Sequence, residues 1–165
     1  MKYFLPILII ISVIYYSCGE GIAPEPITQT GFSGTITFIG DWPAGVTRTH
    51  IVVFKDPLLT AGDFNAFNLK FVSIEIPYGS TVFNYNSADT SVIKINEGEY
   101  SYIAVAQQKT ASVSLNRKDW FVVGVYYAGG DTTKPGKLVI PQNTLVKGIN
   151  IICDFNNPPI QPPGS

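Results

Sequence analysis

In Lys70-Phe71-Val72-Ser73-Ile74-Glu75-Ile76, apolar and polar side chains alternate with a period of two from Val72 to Ile76. In extended backbone, successive side chains point to opposite faces, which places Val72, Ile74 and Ile76 on a buried face and Phe71, Ser73 and Glu75 on the other. A strand with one buried face needs a second layer over it, so the expected architecture has two sheets. Outward from this stretch the same texture repeats. Segments 34–39, 49–54, 81–85, 91–95, 100–107, 120–127, 137–140 and 147–155 are rich in Val, Ile, Thr, Tyr and Phe and are bounded by Gly, Pro, Asn and Asp. Ile93 and Ile95 are expected to point inward around an exposed Lys94. Ile51-Val52-Val53-Phe54 and Phe121-Val122-Val123-Gly124-Val125 are apolar on both faces, as in central strands or strands covered by a loop. The one long connection, 56–68, has room for a helical turn. Helical periodicity is nearly absent, and the loops are too short for helical crossovers. The expected fold is therefore all-β, a single-domain antiparallel β-sandwich.

The totals agree with one folded domain. The chain has 165 residues, 45% hydrophobic and 14% charged, which is too apolar for a disordered chain. Its 11 Lys and Arg against 12 Asp and Glu leave a formal net charge of -1, and the longest basic run is the Arg117, Lys118 pair. Binding to a phosphate backbone needs several clustered cations, so nucleic acid is not an expected partner.

The first segment carries an address. Lys2 provides a positive start, and residues 3–16 follow without a charge, carrying Leu5, Ile7, Leu8, Ile9, Ile10, Ile11, Val13 and Ile14. A charged start followed by a short apolar run is the pattern of a signal peptide, and the run is shorter than the roughly 20 residues a helix needs to cross the hydrocarbon layer. It ends in Tyr15-Tyr16-Ser17-Cys18-Gly19, which resembles the lipobox of bacterial lipoproteins. The resemblance implies cleavage before Cys18 and a lipid (diacylglycerol, palmitate) on that cysteine, hence a partner in the membrane. Gly19 in place of the aspartate that retains many such lipoproteins at the inner membrane implies an outer-membrane location at the cell envelope. The alternative for Cys18 is a disulfide with Cys153 in an oxidising compartment. Cys153 shares alternation phase with Ile149, Ile151 and Phe155 and is expected to point inward.

The resulting division is 1–17 signal peptide, 18–31 lipidated tether, 32–155 β-sandwich and 156–165 tail. The tether carries Pro24 and Pro26. The tail reads Asn156-Asn157-Pro158-Pro159-Ile160-Gln161-Pro162-Pro163. Prolines cannot donate the hydrogen bonds of a strand, so the tail is expected to be mobile.

Three stretches together resemble the carboxypeptidase regulatory-like, transthyretin-like (prealbumin-like) β-sandwich domains of bacterial surface lipoproteins. They are Ser33-Gly34-Thr35-Ile36-Thr37-Phe38 with Pro43-Ala44-Gly45-Val46 and Ile51-Val52-Val53-Phe54; the turn Ile95-Asn96-Glu97-Gly98-Glu99-Tyr100-Ser101-Tyr102; and the closing segment from Gly148 to Phe155. Set beside that family, residues 69–85 read as an inserted hairpin. The resemblance implies a fold and leaves the function open.

Candidate chemistry is sparse. His50 is the only histidine and opens an apolar strand, with no Gly-x-Ser-x-Gly elbow in the chain to supply a nucleophile, so the chain is not expected to be an enzyme. Glu97 and Glu99 flank Gly98 in a turn, where a solvated pair is expected rather than an acid/base pair in a cleft. Asp56, Asp63, Asp131 and Asp154 lack the ligand spacing of a calcium loop, and neither a metal site nor a cofactor is expected. Lys109, Arg117 and Lys118 form a mildly basic loop edge. The aromatic residues Trp42, Tyr126 and Tyr127 lie in or beside turns, where flat rings serve sugar binding and protein interfaces. The expected function is a lipid-anchored, non-catalytic binding or structural module whose partner is an envelope protein or polysaccharide. The alternative is a carbohydrate-binding or adhesive accessory protein using the three rings.

Overall fold

The computed structural model describes residues 29–89 and 91–164. Among the described residues eleven strands occur in chain order: β1 (Gly31–Ile39), β2 (Arg48–Phe54), β3 (Leu69–Ser73), β4 (Val82–Asn86), β5 (Ser91–Ile93), β6 (Gly98–Tyr100), β7 (Tyr102–Gln108), β8 (Trp120–Val125), β9 (Leu138–Ile140), β10 (Leu145–Val146) and β11 (Ile151–Asp154). The fold is an all-β sandwich. One layer is the antiparallel sheet β5-β3-β2-β7-β8. The facing layer is built on β1, which pairs antiparallel with β4 and parallel with β10 and β11, and a small β6-β9 ladder completes the set. Most ladders are antiparallel, as expected, while the two that join β1 to β10 and β11 are parallel. Of the closing segment only Ile151–Asp154 is strand, and the main chain that leads into it from β10 passes over Gly34, where a Cβ would stand 2.2 Å from the Ile149 carbonyl oxygen.

Between the layers lies the main core, with Phe32, Ile36 and Phe38 of β1 against Ile51, Val53, Phe71, Ile103, Val105 and Val123 of the larger sheet. The outer face of that sheet is also apolar. Phe54, Tyr102, Ala104, Val122 and Val125 are roofed there by Leu58 and Phe64 of the 56–68 loop. That loop contains the expected helical turn, a single turn of 3-10 helix at Ala61–Asp63. The two-faced apolarity of β2 therefore has its cause, since β2 is central and covered by the loop. β8 has the same composition and is an edge strand whose outer face is covered by the same loop, the second of the two positions expected for it.

The phase of the opening stretch is the reverse of the expected one. Phe71 and Ser73 are buried and Ile74 is exposed. The larger side chain decides the phase: Phe71 meets Phe32 edge-on at 5.1 Å, an aromatic contact worth about 0.5–1.5 kcal/mol beyond the area it buries. Ser73 accompanies it inward because its hydroxyl is engaged, accepting from the Ile51 N–H at 2.9 Å and donating to the Ile74 carbonyl at 2.6 Å. The strand stops at Ser73, so alternation no longer governs Ile76, which is buried where its N–H donates to the Thr49 carbonyl at 2.8 Å. Ile93 is likewise exposed while Ile95, beyond the end of β5, is buried. The hairpin read from residues 69–85 is not formed, since β3 and β4 lie in different sheets.

Candidate functional site

The rings Trp42, Tyr126 and Tyr127 are not assembled into one platform. Trp42 caps one end of the main core, with its centroid 4.7 Å from Phe38, 5.4 Å from Phe155 and 5.2 Å from Tyr78, and its indole N–H donates to the Ser80 carbonyl at 2.9 Å. Tyr126 packs against the same core, while Tyr127 joins the cluster on the outer face of the larger sheet. Adjacent residues of extended chain point to opposite faces, which separates the two tyrosines.

A cleft of about 820 Å³ lies where the outer edges of β8 and β11 approach each other. Val123, Gly124 and Val125 form one side and Asn150, Ile152 and Asp154 the other, with Tyr127 and residues 132–135 at one end. At Gly124 the two strands come so close that a Cβ would stand 2.6 Å from the Cys153 sulfur. Tyr102 lies at the bottom, where burial pushes its hydroxyl pKa well above the usual range; Tyr127 adds to the shift and Arg117 opposes it.

The remaining wall is the proline-rich segment, read from sequence as mobile. It is laid along the edge of β8 instead. The Val122 N–H donates to Gln161 Oε1 at 2.8 Å, and Gln161 Nε2 donates to the Val122 carbonyl at 2.7 Å. A primary amide carries one acceptor and two donors in the geometry of a peptide group, so this side chain replaces the neighbouring strand that β8 lacks. Nε2 also donates to the Pro159 carbonyl at 3.1 Å. Pro162 is buried, and its carbonyl accepts from Arg117 Nη2 at 2.9 Å, while Arg117 Nη1 donates to the Trp120 carbonyl. Arg117 was expected on a solvated basic edge, yet it is only 8% exposed. Its guanidinium lies 5.7 Å from the Phe64 ring centroid, where the aromatic face and the two carbonyls offset part of the cost of its desolvation. Lys109 and Lys118 do remain exposed, with Lys109 Nζ 5.4 Å from the Phe121 centroid.

The other candidates are dispersed. His50 Nδ1–H donates to the Ser73 carbonyl at 3.0 Å, the tautomer being set by an acceptor that has no proton to give. Glu97 and Glu99 are both exposed. Asp63 accepts from the N–H groups of Leu59 and Thr60 at 3.0 and 2.7 Å, and these bonds, chiefly those of Thr60, hold its carboxyl below the usual range. Asp131 is bonded to Thr133 and stands 3.8 Å from Lys134 Nζ. Asp154 accepts from the Asn156 N–H at 2.9 Å. Among the described residues no three His, Cys, Asp or Glu side chains gather into a metal-binding group. Cys153 is buried as a free thiol, and burial pushes its pKa far up. Cys18 and the signal segment lie outside the described residues.

Sequence reading missed Gln161 and placed Arg117 on a loop edge without its buried role. The one signal for Gln161 was a polar side chain isolated between two proline pairs, Pro158-Pro159 and Pro162-Pro163. No family model matches the chain, and no curated protein or solved structure matches it.

Proposed function

We propose that this chain is an exported lipoprotein, anchored through lipid on Cys18, whose β-sandwich works as a binding or structural module at the cell envelope, on the outer membrane. The observation that carries the reading is the run from Lys2 through the uncharged residues 3–16 to Ser17-Cys18-Gly19, followed closely by a domain whose first strand starts at Gly31. A binding role is supported by the cleft, which offers amides, carbonyls, proline faces and the Tyr127 ring to an extended segment.

Intact mass and membrane fractionation of the expressed protein beside Cys18→Ser test the anchor. The expected result is a diacylglyceryl mass increment on Cys18 and loss of the variant from the membrane fraction. An unlipidated soluble product, or an uncleaved chain still held through residues 3–16, overturns it.

A further inference from the structure

We propose that the edge of β8 is an exchange slot, and that residues 158–163 of one copy of the chain can occupy the slot of a second copy, linking the two reciprocally. Three observations converge on the slot. Both main-chain groups of Val122 on the outer edge are satisfied by a side chain instead of a strand. The seat is prepared on the protein side by a nine-tenths-buried Arg117, whose guanidinium bridges the Trp120 carbonyl of β8 and the Pro162 carbonyl of the occupant. Among the described residues its hydrogen-bond partners are carbonyls and no anion, so the occupant's carbonyl forms part of this cation's solvation.

The occupant is built to be exchangeable. Residues 158–163 contribute no strand to any sheet, and Ile160, their only large apolar side chain, is 95% exposed, so their departure removes nothing from the main core. The prolines prevent the segment from zipping along β8, which leaves its hold to Gln161 and Pro162. The segment is joined to β11 through Phe155-Asn156-Asn157 and its own first residues Pro158-Pro159, a connection with a turn at its start, where the Asn157 N–H donates to the Asp154 carbonyl at 3.2 Å. A short proline-containing connector between an element and its seat is the circumstance in which identical segments trade places, because the neighbour's copy makes the same contacts. The partner is therefore a second copy of this chain, and its recognised part is an extended Ile-Gln-Pro-Pro segment. The proposal does not depend on the lipid anchor.

The test uses the full chain and the same chain ending at Asn157, both purified in mild detergent, with a fluorescent peptide of residues 156–165 as probe. The peptide is expected to bind saturably to the shortened chain and about ten-fold or more weakly to the full chain, whose slot is filled. A peptide carrying Gln161→Glu, which can accept from Val122 but cannot donate to it, is expected to lose about ten-fold or more in affinity, the usual cost of leaving a buried carbonyl unpaired. Full-length Gln161→Ala, which keeps the rest of the segment, serves if the shortened chain does not fold, and it should bind the native peptide more tightly than the unsubstituted chain does. The unsubstituted chain, refolded at high concentration, should sediment in part as a dimer. Equal binding of the two peptides, no binding by a folded chain with an emptied slot, or a refolded full chain that stays monomeric at every concentration would each overturn the proposal.

Discussion

Replacing Gly124 by alanine probes the contact on which the two layers close at the β8–β11 corner. The added methyl would stand 2.6 Å from the Cys153 sulfur, 2.8 Å from Ile151 Cγ2 and 2.9 Å from the Ile152 carbonyl oxygen, whereas ordinary contacts lie at 3.4–4 Å. Relief requires β8 and β11 to separate by several tenths of an ångström in a core that packs like a crystal, a change that costs about 1–3 kcal/mol. Urea unfolding followed by tryptophan fluorescence reads this as a lower midpoint. With a slope of roughly 2 kcal/mol per molar, a loss of 2 kcal/mol moves the midpoint down by about 1 M. Cys153→Ala alone removes one buried heavy atom and should cost about 0.5–1.5 kcal/mol. The double variant should be more stable than the sum of the two losses by about 0.5–3 kcal/mol, because the sulfur is the nearest of the three obstacles. Rescue should be incomplete, since the Ile152 carbonyl belongs to the main chain and cannot be trimmed. An unchanged midpoint for Gly124→Ala would mean that β8 and β11 are not in contact, and strict additivity would mean that the sulfur is not what the glycine accommodates.

Two further expectations concern titrating groups. The Cys153 thiol, pushed up by burial, should resist maleimide at pH 8 in the folded chain and react once urea unfolds it; rapid labelling without denaturant would contradict its placement. The Asp63 carboxyl is held down by its bonds to Thr60, so its contribution to the 56–68 loop should be complete above the unfolded value of about 4 and lost as pH falls through the lower folded value. Carbon-detected titration should place its midpoint below about 4, with the Leu58 methyl shifts moving in step, and a midpoint at or above that value would contradict the bonds to Thr60.

Strand existence was readable from the chain because extended segments between turn residues carry their own local signal. Each of the nine segments picked from β-branched and aromatic content overlaps at least one strand. Facing was read less well, because it depends on partners distant in sequence. Phe71 turns inward to meet Phe32, and Ser73 follows to serve the Ile51 N–H, neither of which alternation alone can choose. For β8 the sequence left two positions open, since an edge strand that is covered on its outer face looks like a central one. The candidate site was the least legible part. Gln161 acts through main-chain mimicry, and Arg117 through the carbonyls of Trp120 and Pro162, so their roles exist only after residues some forty positions apart are folded together. Tyr127 is the one ring of the three that reached the cleft.

The parallel pairing of β1 with β11 also fixes how the domain would bear tension. A pull on the chain before Gly31, opposed at a point beyond Asp154, is directed along two neighbouring strands in opposite senses. The pairs Ile36–Ile151, Thr37–Ile152, Phe38–Cys153 and Ile39–Asp154 would then be loaded together, in shear, instead of opening one after another from an end. The first and last strands of the domain therefore form its mechanical clamp, and resistance to pulling resides in that short ladder and in the rings packed around Phe38.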